Sequence, residues 1–104
     1  IVLATNQNDA IVRALRGEAI RHVPPLRTLA NAMDVGVPSN LERLIQLEPG
    51  CARRTRDLTA EAVDDASIRL GIQQVARELD YLICPHTACA WTVLSRMRER
   101  GVIG

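Results

Sequence analysis

Apolar and polar positions fall in blocks along this chain that predict one or two strands and about four helices around one long connection. Residues 1–5 run Ile-Val-Leu-Ala before the polar Thr5, the pattern of a parallel strand buried on both faces. Asn6-Gln7-Asn8-Asp9 follows, and Asn8 or Asp9 is suited to cap a helix. Ile11 and Leu15 mark one face of that helix and Gly17 ends it. A strand leading into a helix is half of a βαβ unit, and ligands of open α/β sheets collect beyond the carboxyl ends of strands. Thr5, Asn6 and Asn8 stand there, as site residues or simply as turn and cap residues. Residues 18–38 show no regular element. Pro24-Pro25 forbids a helix interior, and a connection this long is uncommon unless it is functional or packed under something.

Ser39 or Asn40 caps the next helix, Leu41–Leu47, with Glu42 in its first turn. Leu41, Leu44 and Ile45 form its apolar face, and Pro49-Gly50 stops it. Residues 51–57 are Arg-rich: a solvated connection, or a phosphate site built from Arg53, Arg54 and Arg56. Thr59 or Asp64 starts a further helix, in which Ile68, Ile72, Val75 and Leu79 keep helical spacing. Residues 81–83 lead into the last helix. There Ala90, Val93, Leu94 and Met97 form a stripe, Arg96, Arg98 and Arg100 complement the dipole, and Gly101 ends it. No internal repeat is present.

Chemistry concentrates in Tyr81-Leu82-Ile83-Cys84-Pro85-His86-Thr87-Ala88-Cys89-Ala90-Trp91, which holds two of the three cysteines, one of the two histidines and the only Trp and Tyr. Pro85 suits a first helical position, where its missing N–H has no partner anyway. Cys84, His86 and Cys89, with Cys51 as a fourth, lack the paired spacing of a zinc ribbon or finger. A Cys–His nucleophile pair at a helix start is chemically sensible, but no third orienting group is identifiable. The plainer assignment makes Cys89 a small core residue and His86 a hydrogen-bonding helix-start residue. Thr87, in the first turn, either aims its hydroxyl at a ligand or satisfies backbone.

Composition narrows the picture. The 104 residues are 47% hydrophobic but only 2% aromatic, with no Phe, so the core must be aliphatic. A net charge of +1 points to neither nucleic acid nor an acidic partner. No apolar run of about 20 residues predicts a membrane span, and three cysteines without a disulfide spacing fit a reducing cytoplasm. The chain holds no lysine, and it opens without Met in mid-pattern. We therefore expect residues 1–104 to form a single partial domain, a fragment of a longer protein.

Three stretches carry a family resemblance. Residues 30–44, Ala-Asn-Ala-Met-Asp-Val-Gly-Val-Pro-Ser-Asn-Leu-Glu-Arg-Leu, resemble the Asn-Ala-Met-Asp … Pro-Ser-Asn-x-Glu-Arg segment of threonine synthases. Pro85-His86-Thr87-Ala88, preceded by Tyr81-Leu82, resembles that family's Tyr-x-x-Asp-Pro-His-Thr-Ala, and residues 4–9 resemble its Ala-Thr-Asn-x-Asn-Asp. The motifs occur in the family's order. The resemblance implies a truncated piece of a three-layer α/β enzyme of the second pyridoxal-phosphate fold type, a lyase of threonine biosynthesis. The complete enzyme converts O-phosphohomoserine and water to threonine and phosphate. It also implies that Thr87 hydrogen-bonds the cofactor's pyridine nitrogen, and that Asn6, Ser39, Asn40 and Arg43 lie near the substrate. Two departures stand out. Cys84 replaces the family's Asp, a better N-cap, and the Schiff-base lysine and Gly-rich phosphate cradle are missing. The expectation is a chain that is inactive alone and supplies one wall of an active site, the remainder of the catalytic domain being its partner. The alternatives are a non-catalytic helical or regulatory module derived from such an enzyme, and a small metal-binding domain.

Overall fold

A computed structural model describes residues 1–47 and 58–103. The apolar run forms strand β1, Val2–Thr5, which pairs in parallel with β2, Thr59–Ala62, in the register Val2–Thr59 to Thr5–Ala62. Helix α1 spans Ala10–Leu15, α2 Leu41–Leu47, α3 Asp65–Leu79 and α4 Pro85–Glu99, with a single 3-10 turn at Asn31–Met33. The result is a small α/β unit of four helices and a two-stranded parallel sheet among the described residues. Helix α4 lies against α3, both strands and the 3-10 turn, while α1 packs on β2.

Four sequence expectations need correction. Thr59 belongs to β2, and only Asp64 starts a helix. Ala10 and Val12, rather than Ile11 and Leu15, are the buried positions of α1, because a helix this short is oriented by its tertiary contacts. In α4 the buried face is Ala88, Cys89, Val93 and Met97, whereas Ala90 and Leu94 are exposed. Leu79 is exposed although Ile68 and Val75 on the same stripe of α3 are buried. The long connection is irregular as expected, apart from its 3-10 turn. The Pro49-Gly50 stop, the Arg53, Arg54 and Arg56 cluster, Cys51 and the Ile45 side chain lie outside the described residues.

Capping chemistry explains where the two long helices begin. The Asp64 carboxylate accepts from the Ser67 N–H at 2.8 Å; the Ser67 side chain first, and this N–H next, hold its carboxyl below the usual range. Next to it, Asp65 accepts from the Leu29 N–H at 3.0 Å and so ties the long connection to α3. A Cβ on Gly71 would stand 2.9 Å from Thr92 Oγ1 and close to Ala88, so the missing side chain is what lets α3 and α4 approach. The core joins Ala30, Val63, Ile68, Ala88, Cys89, Val93 and Met97; it holds no aromatic residue and draws on the long connection, the end of β2, α3 and α4. Arg96 does more than meet a dipole. It donates to Glu61 Oε1 at 3.0 Å and to Ser67 Oγ at 3.0 Å, and Arg100 reaches Glu61 Oε2 at 2.8 Å. Burial pushes the Glu61 carboxyl up, but the hydrogen bonds and charges of Arg100 and Arg96 outweigh it and hold it low.

Candidate functional site

The carboxyl end of β1 opens into the loop 6–9, and two asparagines there are held in different ways. Asn6 is fully buried. Its amide Nδ2 donates to Thr28 Oγ1 at 2.8 Å, to Asp34 Oδ1 at 2.9 Å and to the Ala30 carbonyl at 3.2 Å, and its Oδ1 accepts from the Asn8 N–H at 2.8 Å. Asn8 turns outward to clasp Leu26, accepting from its N–H at 2.7 Å and donating to its carbonyl at 3.0 Å. Asp9 occupies the N-cap position of α1 but makes no side-chain cap; it accepts from Arg13 Nε at 2.9 Å instead. These bonds fold the long connection back over the end of β1.

A cavity of about 630 Å³ lies along β1, lined by Val2 to Thr5, Asn8 and Ile11 and by Met33, Val35, Pro38, Ser39, Asn40 and Ala90. Ser39 and Asn40 are shared with a second recess of about 500 Å³ that is also lined by Glu42, Arg43 and Gln46. Ser39, Asn40 and Arg43 are exposed. The structure therefore brings Thr5, Asn8, Ser39 and Asn40 around one space and places Arg43 in the adjoining recess. Asn6 does not line either; both ends of its amide are taken up internally. Thr87 is exposed and does not line the cavity; it stands three residues before Ala90, which does.

The start of α4 holds a sulfur cap. Cys84 has extended backbone, Pro85 follows at the first position, and Cys84 Sγ accepts from the Thr87 N–H at 3.5 Å. Thr87 Oγ1 lies 3.4 Å from the same sulfur. Cysteine thus replaces the usual capping oxygen without disrupting the helix start. The Thr87 hydroxyl, then the Thr87 N–H and His86, lower the Cys84 thiol from about 9 to about 6, as expected for a thiolate at a helix N-terminus. Burial raises Cys89 instead. His86 Nε2 accepts from the Ala32 N–H at 3.1 Å, which puts the proton of the neutral ring on Nδ1 and anchors the 3-10 turn to α4. Cys84 and His86 are therefore neighbours at the helix start, while Cys89 is buried in the core, and no cluster of three metal-ligating side chains exists among the described residues.

Alkylation by iodoacetamide checks this thiol. Cys84 is expected to react at a rate that rises through about pH 6 and levels off near pH 7, while Cys89 stays unmodified in the folded chain. Peptide mass spectrometry separates the sites. A Cys84 profile rising only above pH 8 contradicts the sulfur-cap geometry.

Asp34 belongs to the Asn-Ala-Met-Asp stretch that carries the family resemblance, but no role was expected of it, and Thr28 carried no signal; both are central to the loop.

A parallel strand whose carboxyl end opens on a walled cavity defines the chain as part of an α/β domain of the kind that holds ligands at strand ends. No family model matches the chain. It is 32% identical to the threonine synthase of Serratia marcescens over 99% of its own length and 24% of that protein's. It is 33% identical to mouse threonine synthase-like 2 over 86% of its length and 24% of that protein's. Its fold superposes on the crystal structure of Escherichia coli threonine synthase with a TM-score of 0.75 and 32% identity, covering 91% of this chain and 22% of that one. The chain belongs to the threonine synthase family and spans about a quarter of the length of the curated relatives it matches.

Proposed function

We propose that this chain forms one wall of the active site of a pyridoxal-phosphate-dependent threonine synthase, a cytoplasmic lyase that converts O-phosphohomoserine and water to threonine and phosphate. The observation that carries the reading is the grouping of residues from two family-like motifs, Thr5 and Asn8 with Ser39 and Asn40, around one cavity; Thr87, of the third motif, lies three residues before the lining residue Ala90 on α4. Among the described residues no helix is long and apolar enough to cross a membrane.

The residues fit the cofactor in part. Thr87 presents an exposed hydroxyl on the first turn of a rigid helix, suited to meet a ring nitrogen. A neutral hydroxyl there leaves that nitrogen largely unprotonated. No lysine is available in the chain, so the covalent anchor has to come from other polypeptide. When bound, the cofactor supplies an electron sink for the substrate's reacting carbons. In this reading Ser39 and Asn40 orient the substrate from the shared wall, and Arg43 draws its negative charge from the adjoining recess. Asn6 acts from behind, by fixing the loop that carries Asn8.

A chimaera tests the proposal. The matching quarter of the Escherichia coli enzyme is replaced by this chain and expressed in a threonine auxotroph. Growth without threonine, and at least tenfold slower turnover in the Thr87→Val chimaera, are the expected results. The 104 residues alone should release no phosphate from O-phosphohomoserine. A chimaera that folds and binds pyridoxal phosphate but makes no threonine overturns the reading. That outcome favours the non-catalytic module, which the absence of lysine already fits.

A further inference from the structure

We propose that Asp34 is the positioning residue of this site: an acceptor-only clasp that holds the Met33–Val35 wall of the cavity against Asn8 and the end of β1. Four donors converge on its carboxylate. Thr28 N–H donates to Oδ2 at 3.0 Å, and Thr28 Oγ1 donates to Oδ1 at 2.7 Å. Asn6 Nδ2 donates to Oδ1 at 2.9 Å and Asn8 Nδ2 at 3.3 Å. The flanking residues Met33 and Val35 both line the cavity, as does Asn8, so the carboxylate joins three of its lining positions through the chain and the Asn8 hydrogen bond. Every group facing Asp34 is a donor, which only an ionised carboxyl can satisfy throughout. The donors hold that carboxyl below its ordinary range, the Thr28 N–H first and the Thr28 hydroxyl next, against a small opposing effect of burial.

Asn at this position has the same shape but must turn an NH2 toward at least one N–H. Asp34→Asn is therefore the informative variant, and the two methionines of the chain report on it. Met33 lines the cavity and packs on the edge of the core, whereas Met97 is buried within that core with Val93 on α4. In methyl-labelled protein the Asp34→Asn variant is expected to move the Met33 resonance to its random-coil position and leave Met97 in place. A Met33 signal that does not move overturns the proposal. So does loss of both native signals together, because Asp34 is then a general stability residue. This readout stands apart from the threonine synthase reading. The second readout rests on that reading: in an active chimaera Asp34→Asn should raise KM for O-phosphohomoserine about tenfold, the scale of one hydrogen bond to a charged group, with kcat within about twofold. An inactive wild-type chimaera sinks the reading alone. An active one whose KM ignores Asp34→Asn sinks the clasp.

Discussion

Ile68→Ala is expected to cost about 3 kcal/mol of folding stability, the middle of the range for truncating a fully buried aliphatic side chain. Ile68 is 0% exposed and shares the core with Val63 at the end of β2 and with Ala88, Cys89 and Val93 on α4. The hole left by three lost carbons has helix on two sides and a strand end on the third, so little can collapse into it. Domains of this size hold about 5–10 kcal/mol in total, and the variant should give up a large part of that. In urea the midpoint should fall by about 2 M with an unchanged slope, given about 1.5 kcal/mol per molar for a small domain. Leu70→Ala, on the exposed side of the same helix, should shift the curve by no more than about 0.5 kcal/mol. Equal effects at the two positions contradict the packing described for α3.

Some of this architecture was legible in the residues and some was not, for separable reasons. The strand at β1 and the helix α3 were legible from an apolar run and a sustained 3.6-residue period. The expected burial of β1 on both faces was not met: only Thr5 of the strand is buried and Val2 is 44% exposed, because the cavity runs along the strand. The Asp64 cap and the Pro85 helix start were legible because capping is local chemistry. β2 was hidden: Thr-Ala-Glu-Ala contains residues that are depleted in strands, and it is extended because β1 offers it a ladder. The buried face of α4 was misjudged by a fraction of a turn, since Ala88, Cys89, Ala90 and Trp91 are apolar all round and the period cannot choose among them. At the site, Ser39, Asn40 and Arg43 came from motif resemblance and do share adjoining recesses. Asn6 carried the same signal but sits behind the wall. The partnership of Asn6 with Thr28 and Asp34 spans 22 and 28 positions, a distance at which a single sequence holds no pairing information.

That buried amide yields the largest expected effect in the molecule. Asn6→Asp is nearly isosteric and keeps one oxygen to accept from the Asn8 N–H. It replaces the donating Nδ2, however, with a second acceptor facing Thr28 Oγ1, the Ala30 carbonyl and the Asp34 carboxylate. A buried charge without a partner, set against a like charge, should cost about 4 kcal/mol near pH 7. Asn6→Ala, which removes the hydrogen bonds without adding charge, should cost about 2 kcal/mol. The two variants also differ in pH dependence. The new carboxyl is raised in the folded state by burial and by Asp34, so its neutral, donating form is the one the fold favours. Its deficit is then largest above the raised folded pKa and shrinks as pH falls toward the unfolded value of about 4. Urea unfolding at pH 7.5 and pH 4.5 measures this: the gap between Asn6→Asp and Asn6→Ala should narrow at the lower pH. A gap that is constant, or absent at pH 7.5, means that the Asn6 amide does not face the acceptors around it.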